Sequence, residues 1–372
     1  MLKEYIVELE KPFDSSIDSY FTSKNCSILF HDELLPELII LETTEDISTF
    51  EFIDTYNEPR IGEILHTKKS KKFKTIELEP ELNSDFLHSF GYGFGVKIAI
   101  LDTGIDNDIC PDVKEAVDFT GTGTDPKISH GSIVTRIIKS FSRAAEVYSA
   151  KVSHEEKFKE SNVYQALKWA KEKDVDIINM SIGIACDCDG SCPLSRYINA
   201  LVDKCGILFV AAAGNDFEAK ENTFSKRVHC PACSLEVISV GSLSKDGLDV
   251  AQFSVPGIVN SDKPNIVAPG HGNLNTLRYA TPFRGTSFAA PVITGILGCL
   301  VSYIPTMDIT VETDLVALKK KKMHNLKMNL YETTTYLEKV YASRQGFGKL
   351  DLEKLLEVLH NEKQSNSRGQ AN

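Results

Sequence analysis

The sequence predicts a parallel α/β domain preceded by a small α+β domain. Three observations carry this prediction: short alternating apolar segments in the first 66 residues, a lysine-rich polar stretch, and buried strands that alternate with helices from about residue 85. Such alternation is typical of a parallel sheet flanked by helices. We therefore expect a first domain over 1–66, a linker over 67–84, a second domain over 85–360 and a disordered tail over 361–372.

Short segments of alternating pattern predict the first domain. Tyr5 to Leu9 alternates apolar and polar side chains, as a half-buried strand does. The other elements expected here are a helix over 15–22, strands over 26–30 and 38–41, a second helix over 47–56 and a last strand over 59–65. The polar stretch that follows carries too much charge to fold alone, which is why we expect a linker.

Continuous apolar strands predict the second domain. Val96 to Leu101 is a run typical of a parallel strand that is covered on both faces. The other elements expected are strands over 146–152, 176–180, 206–212 and 236–240, and helices over 130–143, 161–173, 194–204 and 288–304. The last helix is apolar, but it is shorter than the roughly 20 residues that cross a membrane. We expect it to lie in the core.

Composition and charge exclude some classes of partner. The net charge of −11 argues against a nucleic-acid partner. The first residues, MLKEYIVELEKPFDSS, lack the apolar core of a signal peptide. We expect a cytoplasmic protein without a membrane partner. Its nine cysteines should then be mostly reduced unless they bind a metal.

Four polar residues stand at the ends of predicted elements. Asp102 follows a strand, His130 opens a helix, Asn215 follows another strand, and Ser287 begins the apolar helix. Functional groups collect at the carboxyl ends of parallel strands, so these side chains are expected to meet. A histidine can activate a serine hydroxyl, a carboxylate can orient that histidine, and an amide can donate to an oxyanion.

The motifs around these residues resemble those of the subtilisin family. DTGI, HG, AAAGN and GTSFAAP occur in the order that this family has, and the resemblance covers about residues 88–303. Further similar segments are INMSIG at 178–183, PNIVAPG at 264–270 and GFGKL at 346–350. The chain departs from the family pattern at Ile133, at Thr135-Arg136 and at Phe288, which follows the serine.

The resemblance implies a subtilisin-like parallel sheet and a serine endopeptidase that acts on peptides or proteins through an acyl-enzyme. Ser287 would be the nucleophile, His130 the general base and Asp102 its orienting carboxylate. Asn215 would form the oxyanion hole with the backbone N–H of Ser287. No cofactor would be needed for catalysis. Two other functions stay open: a catalytically silent fold that binds peptides, and a non-proteolytic serine hydrolase.

The resemblance also implies a substrate cleft. Ser181-Ile182-Gly183 would pair with an extended peptide, a mode in which backbone hydrogen bonds supply affinity. The pocket for the residue before the cut would lie between this edge, the segment from Ala212 to Asp216, and His229. Its lining would include Ala212, Gly214 and Asp216. The Asp216 carboxylate either favours a basic side chain there or is an exposed loop residue.

Two short strings hold five of the cysteines. They are Cys186-Asp-Cys188-Asp-Gly-Ser-Cys192 and His229-Cys230-Pro-Ala-Cys233. Two close pairs of thiolates are typical of a structural zinc site, which would use Cys188, Cys192, Cys230 and Cys233. Disulfide or redox pairing and incidental thiols are the alternative interpretations.

The first domain resembles the propeptide of subtilisins in position, length and ferredoxin-like βαββαβ order. The resemblance implies an intramolecular inhibitor that is released when the linker is cut. The exposed lysines of the polar stretch predict that this cut falls between Lys68 and Lys74. The alternative is a stable N-terminal domain that is never removed.

Overall fold

A computed structural model gives the structure of the protein. It describes residues 2–64, 75–82, 85–126, 129–215, 227–258, 261–275, 280–303 and 314–369, with side chains in the last helix to residue 361.

The N-terminal residues form a four-stranded antiparallel sheet with one helix, as predicted for a small α+β unit. Its elements are β1 (Lys3–Leu9), α1 (Ser15–Ser23), β2 (Ser27–His31), β3 (Leu38–Thr43) and β4 (Ile53–Asn57). The strand order is β2-β3-β1-β4. α1 begins where the Asp14 carboxylate accepts the N–H groups of Ser16 and Ile17, and its buried face consists of Ile17 and Phe21.

The predicted second helix of this unit, 47–56, is wrong. Only a 3-10 turn forms over Ile47–Thr49, and the residues after Phe52 continue as β4. Ile53, Thr55 and Tyr56 are β-branched or aromatic residues that favour a strand, and β4 pairs with β1 along the edge of the sheet. Pairing with a neighbouring strand therefore overrides the helical spacing.

The rest of the described chain builds the larger unit. Its elements are β5 (Ile61–Ile64), β6 (Thr75–Glu79), α2 (Asp85–His88), β7 (Lys97–Asp102), β8 (Val113–Asp118), α3 (His130–Phe141), β9 (Glu146–Lys151), β10 (Ser153–His154), β11 (Lys157–Lys159), α4 (Glu160–Glu172), β12 (Ile177–Met180), β13 (Ile182–Gly183), α5 (Pro193–Cys205), β14 (Leu208–Ala212), β15 (Ile238–Leu243), β16 (Ile266–Pro269), β17 (His271–Asn275), β18 (Ala280–Arg284), α6 (Thr286–Tyr303), α7 (Leu315–Glu332), α8 (Ala342–Gln345) and α9 (Leu352–Gly369). Seven of these strands form a parallel sheet in the order β16-β15-β14-β12-β7-β9-β8. The predicted parallel α/β fold is confirmed.

Helices cover both faces of the parallel sheet. Along β7, Ile98 and Ile100 point to the core that contains α3 and α6, while Ala99 and Leu101 point to the core that contains α4 and α5. This alternation explains why β7 is apolar throughout. α6 is long and apolar enough to cross a membrane by composition, but 89% of that segment is buried within the protein. It is the central helix that the sequence predicts.

The small sheet packs on the outside of α4 and α5. Phe30 inserts between Tyr164 and Tyr197, with ring centroids 5.2 and 5.3 Å away. At the rim of this contact, Lys171 pairs with the buried carboxylate of Asp32 at 2.6 Å. Both aromatic packing and charge therefore join the N-terminal unit to the larger one.

Three predicted boundaries change in the structure. The strand expected over 59–65 forms as β5, but it joins β11 and β13 of the larger unit and not the small sheet. Part of the expected linker, Thr75–Glu79, is β6, which pairs with β17. The expected tail is helical in α9 as far as Gly369. The segment Lys68–Lys74 lies outside the described residues.

Candidate active site

Asp102 and His130 form a buried hydrogen-bonded pair at the carboxyl end of the parallel sheet. β7 ends at Asp102 and α3 begins at His130, and Oδ1 of Asp102 lies 2.8 Å from Nδ1 of His130. Both side chains are 2% exposed or less. Oδ1 also accepts the backbone N–H of Thr103 at 2.7 Å, which restrains the carboxylate. With Nδ1 donating to Asp102, the lone pair of the imidazole lies on Nε2, where it can take a proton.

Two turns fit closely around this pair and explain the DTGI and HG motifs in physical terms. The N–H of Gly131 donates to Thr103 Oγ1 at 3.0 Å. A Cβ at position 131 would lie 2.3 Å from the carbonyl oxygen of Gly104, so no side chain fits there. Gly104 has a φ of +86°, a conformation that favours glycine. These motifs therefore allow the turn after β7 to touch the first turn of α3.

Ser287 lies in the first turn of α6, which packs against α3. The side chain is fully buried, and the ring of the next residue, Phe288, lies 5.3 Å from the His130 ring. Within the described part of the chain, neither Ser287 Oγ nor His130 Nε2 has a hydrogen-bond partner. Buried polar atoms without partners are uncommon and call for an explanation, and catalytic hydrogen bonds are often long until a substrate binds.

Thr286 orients the amide of Asn215. The Oδ1 atom of Asn215 accepts the backbone N–H of Thr286 at 2.8 Å and its hydroxyl at 2.9 Å. The Thr286 hydroxyl in turn accepts the N–H of Gly214 at 3.1 Å. Since Oδ1 is held on this side, the NH2 group of Asn215 points the other way. The GTS motif predicted Ser287 as a site residue, but it gave no signal that Thr286 would hold Asn215.

A strand of the N-terminal region lies in the predicted substrate groove. β5 pairs antiparallel with β13, with Glu63 opposite Gly183 and Ile64 opposite Ile182. On its other side β5 pairs antiparallel with β11. Two residues of the predicted edge, Ile182 and Gly183, therefore pair with an extended segment of the same chain. The second edge, Lys157–Lys159, was missed, because a strand of three residues carries no periodic signal.

Ser181 connects this edge to the helix that carries Ser287. Its hydroxyl accepts from Nδ2 of Asn179 at 3.0 Å, and Oδ1 of Asn179 accepts the Thr294 hydroxyl of α6 at 2.8 Å. All three side chains are fully buried. A buried network of this kind therefore links the edge at Ser181 to the middle of α6.

His229 lies between β13 and the segment after β14. A Cβ added to Gly183 would lie 3.0 Å from its side chain, and one added to Gly214 would lie 2.9 Å from its ring. The two glycines leave room for this buried imidazole. Ala212 instead points into the sheet core, and Asp216 lies outside the described residues.

The four predicted cysteines come together around one oxygen atom. Oγ of Ser195 lies 3.3 to 4.0 Å from the sulfurs of Cys188, Cys192, Cys230 and Cys233. The sulfurs of Cys188, Cys192 and Cys230 are all within 4.8 Å of one another. A tetrahedral zinc site with Zn–S bonds of about 2.3 Å has sulfurs about 3.8 Å apart. All nine cysteines of the chain are free thiols in the structure.

A fifth cysteine, Cys186, contacts the same cluster and changes its electrostatics. Hydrogen bonds from neighbouring thiols, that of Cys186 first, lower the pKa of Cys188. Hydrogen bonding with Cys186 raises the pKa of Cys230, and hydrogen bonding with Cys188 raises the pKa of Cys233. Hydrogen bonding among these thiols therefore shifts the pKa of Cys188 in the opposite direction to those of Cys230 and Cys233.

Solved structures with this fold include two proteases. Fervidolysin from Fervidobacterium pennivorans, a keratinolytic enzyme related to subtilisin, matches with a TM-score of 0.67 and 16% identity over 96% of this chain and 61% of its own. The epidermin leader peptide processing serine protease from Staphylococcus aureus matches with a TM-score of 0.66 and 18% identity over 96% of this chain and 99% of its own. At these identities the likeness shows the fold alone.

The sequence comparisons establish the family. The chain belongs to the subtilase family, whose model matches residues 93–348. It is 31% identical over 244 residues to subtilisin amylosacchariticus of Bacillus subtilis subsp. amylosacchariticus, a match that covers 61% of each protein. The chain thus spans less than two thirds of the length of that relative.

Proposed function

We propose that this protein is a serine endopeptidase with Ser287 as nucleophile, His130 as general base and Asp102 as the carboxylate that orients it. The observation that carries the proposal is the buried Asp102–His130 pair beside the first turn of α6. The chain belongs to the subtilase family, Phe288 beside Ser287 lies 5.3 Å from the His130 ring, and neither Ser287 Oγ nor His130 Nε2 has a hydrogen-bond partner among the described residues, all of which supports this assignment.

The geometry supports an acyl-enzyme mechanism. As Ser287 Oγ attacks the carbonyl carbon, His130 Nε2 takes its proton and Asp102 stabilises the imidazolium. The NH2 group of Asn215 and the N–H of Ser287 donate to the oxyanion. His130 then gives the proton to the leaving amine. A water molecule repeats these steps on the acyl-enzyme, which frees the acid and restores Ser287.

An activity-based probe tests this proposal against a silent fold. A fluorophosphonate labels a serine hydroxyl that a base activates, so the chain cleaved in the linker should be labelled and the matched Ser287→Ala chain should not. Peptide hydrolysis should follow the same pattern, which separates an endopeptidase from another serine hydrolase. Equal labelling of both chains, or none of either, would contradict the assignment.

The N-terminal unit is proposed to be an intramolecular inhibitor of this site. β5 occupies the groove between β11 and β13, and the small sheet packs on α4 and α5 through Phe30. A tether of this kind keeps an inhibitor at about millimolar local concentration, so moderate affinity suffices to block the groove. A cut between Lys68 and Lys74 would end that advantage.

The inhibitor proposal is tested by comparing intact chain with chain cleaved in the linker. Cleavage should raise activity, and residues 1–66 added back should lower it again. If the uncut chain is as active as the cleaved one, the N-terminal unit is a permanent domain.

The proposed substrates are specific peptide or protein precursors in the cytoplasm. One solved structure with this fold is a protease that processes a leader peptide. Mass spectrometry of cell extract treated with active enzyme, with Ser287→Ala as control, would identify the cut sites. Cell fractionation checks the location.

The cysteine cluster is proposed to hold a structural zinc ion through Cys188, Cys192, Cys230 and Cys233. Four thiolates close the coordination shell and leave no position for water, so the ion takes no part in the chemistry. Protein purified without chelator should contain one equivalent of zinc. Less than about a tenth of an equivalent would favour free thiols.

A further inference from the structure

We infer that the cysteine cluster is a latch for the N-terminal unit: a zinc-thiolate site on the larger unit holds Arg60, so that metal binding and the seating of β5 strengthen each other. The inference rests on the zinc site and the inhibitory role proposed above. It adds a partner for the metal site and a means of controlling the inhibitor.

Arg60 connects the two regions directly. It immediately precedes β5, and its side chain reaches the cysteine cluster. Nη1 lies 3.4 Å from the sulfur of Cys186, and Nη2 lies 3.4 Å from that of Cys192 and 3.6 Å from that of Cys230. These are N–H···S contacts to three different thiols. A guanidinium has no lone pair to offer a metal, so it acts as a donor beside the site and not as a ligand.

Glu160 holds the opposite side of the same guanidinium. Its carboxylate accepts Nε of Arg60 at 2.8 Å and also pairs with Nη2. The Glu160 side chain is 2% exposed, and its backbone N–H donates to the Arg60 carbonyl oxygen at 3.0 Å. Arg60 is therefore placed between a buried carboxylate and the sulfurs. The carboxylate attracts it in every state of the cluster, whereas the sulfurs change with metal binding.

Metal binding changes the charge that Arg60 faces. Neutral thiols are weak acceptors, but zinc binding releases the remaining thiol protons to solvent and forms four Zn–S bonds, which leaves a site with a net charge of about −2. The same N–H groups then donate to thiolates. The guanidinium is charged in both states, so this change adds attraction between opposite charges to the existing hydrogen bonds. Zinc should thus hold Arg60, and with it the N-terminal end of β5, more firmly.

Linkage makes the effect reciprocal. If zinc tightens the contact with Arg60, then Arg60 raises the affinity for zinc by the same factor. Groups that hydrogen-bond to metal ligands typically change metal affinity about 10- to 100-fold. A disulfide between Cys192 and Cys230, whose sulfurs lie 3.6 Å apart, would have the opposite effect, because it removes two of the acceptors.

The test uses the full-length Ser287→Ala chain, which cannot cut its own linker. In this background, zinc affinity is measured by competition with a chelator for the parent, Arg60→Ala and Arg60→Lys. The matched control is Glu4→Ala, which breaks another contact between the two units, the 2.7 Å pair with Lys159, away from the sulfurs. We expect Arg60→Ala to weaken zinc binding about 10- to 100-fold, Arg60→Lys to have a smaller effect and Glu4→Ala none.

Hydrogen exchange supplies a second readout on the same chains. Zinc should slow exchange of the β5 amides in the parent and leave their rates unchanged in Arg60→Ala. Cys230→Ser should abolish zinc binding, and Cys186→Ser should keep it. Equal zinc affinity of the parent and Arg60→Ala, or β5 exchange that ignores zinc, would overturn the latch. None of these measurements needs hydrolysis, so an inactive enzyme would refute the proposed protease and its inhibition but not the coupling between zinc binding and β5.

Discussion

Two clusters of reactive side chains in this molecule are contacted by residues from different parts of the chain. The Asp102–His130 pair is held by Thr103 and by turns of the larger unit. The cysteine cluster also gathers residues that are distant in sequence, but the guanidinium that contacts it comes from residue 60, beside the N-terminal sheet. The proposed catalytic pair is therefore held within the larger unit alone, while the cysteine cluster is contacted by a residue that directly precedes β5.

The largest expected effect is on kcat, and it comes from replacing the proposed nucleophile in the larger unit. Ser287→Ala should lower kcat by about 10⁶, the size of this loss in subtilisin itself. The zinc content and the thermal unfolding of the chain should stay unchanged, since the hydroxyl has no partner in the described structure. Steady-state kinetics on cleaved enzyme measures the loss. Residual turnover above a hundredth of the parent would place the nucleophile elsewhere.

Removal of the oxyanion donor should have the next largest effect. Asn215→Ala should lower kcat on the order of 10²–10³ with little change in KM, again the magnitude known from subtilisin. The amide donates to charge that develops only in the transition state, so binding of the substrate is spared. An unchanged kcat would remove Asn215 from the site.

A substitution in β5 tests whether the fit between the two units controls inhibition. Gly62 faces the ring of Phe158 in β11, and an added Cβ would lie 2.1 Å from it. Gly62→Val should weaken inhibition by the N-terminal unit about 10-fold or more, because overpacking costs about 1–3 kcal/mol. Activity of the uncut chain reports the change. Adding Phe158→Ala to the Gly62→Val chain should restore inhibition. If Gly62→Val alone is inhibited as strongly as the parent, the contact is refuted.

The smallest effect is expected at a positioning residue. Thr286→Ala removes the hydroxyl bond to Asn215 but keeps the backbone one. A hydrogen bond of about 1 kcal/mol corresponds to a loss of roughly 5- to 10-fold in kcat. Thr286→Ser keeps the hydroxyl and should retain most of the activity. Equal rates for the alanine and serine variants would show that the hydroxyl has no such role.

Sequence alone predicted the parallel sheet and the ends of its elements because these depend on local patterns. A continuous apolar strand followed by DTGI gives the place of Asp102, and an apolar helix after GTS gives that of Ser287. The pairing partner of a short strand is a different matter, since it depends on contacts far along the chain. Ile61–Ile64 was expected to be a strand, but the pattern of these four residues does not predict that β11 and β13 are its pairing partners.

Long-range contacts also explain the other differences. Residues 53–57 form a strand because they pair with β1. Thr75–Glu79, which was expected to be linker, forms a strand because it pairs with β17. Arg60 carried no motif, and its importance comes only from Glu160 and three sulfurs that lie about 100 residues or more away. The spacing along the chain predicted the cysteine cluster, but it did not predict that the Arg60 guanidinium contacts it.

Any chain that takes the place of β5 must offer both of its edges, because β11 pairs with one side and β13 with the other. Helices use their backbone groups internally, and strands within sheets are already paired, so a folded protein rarely presents such a segment. Its cleavage would have to wait for local unfolding over at least the four residues that β5 occupies. An opening free energy of about 4 kcal/mol would slow the cut roughly a thousandfold relative to an unstructured peptide. If the groove binds substrates as it binds β5, pairing at both edges would make the stability of the target, as well as its sequence, a determinant of which bonds are cut.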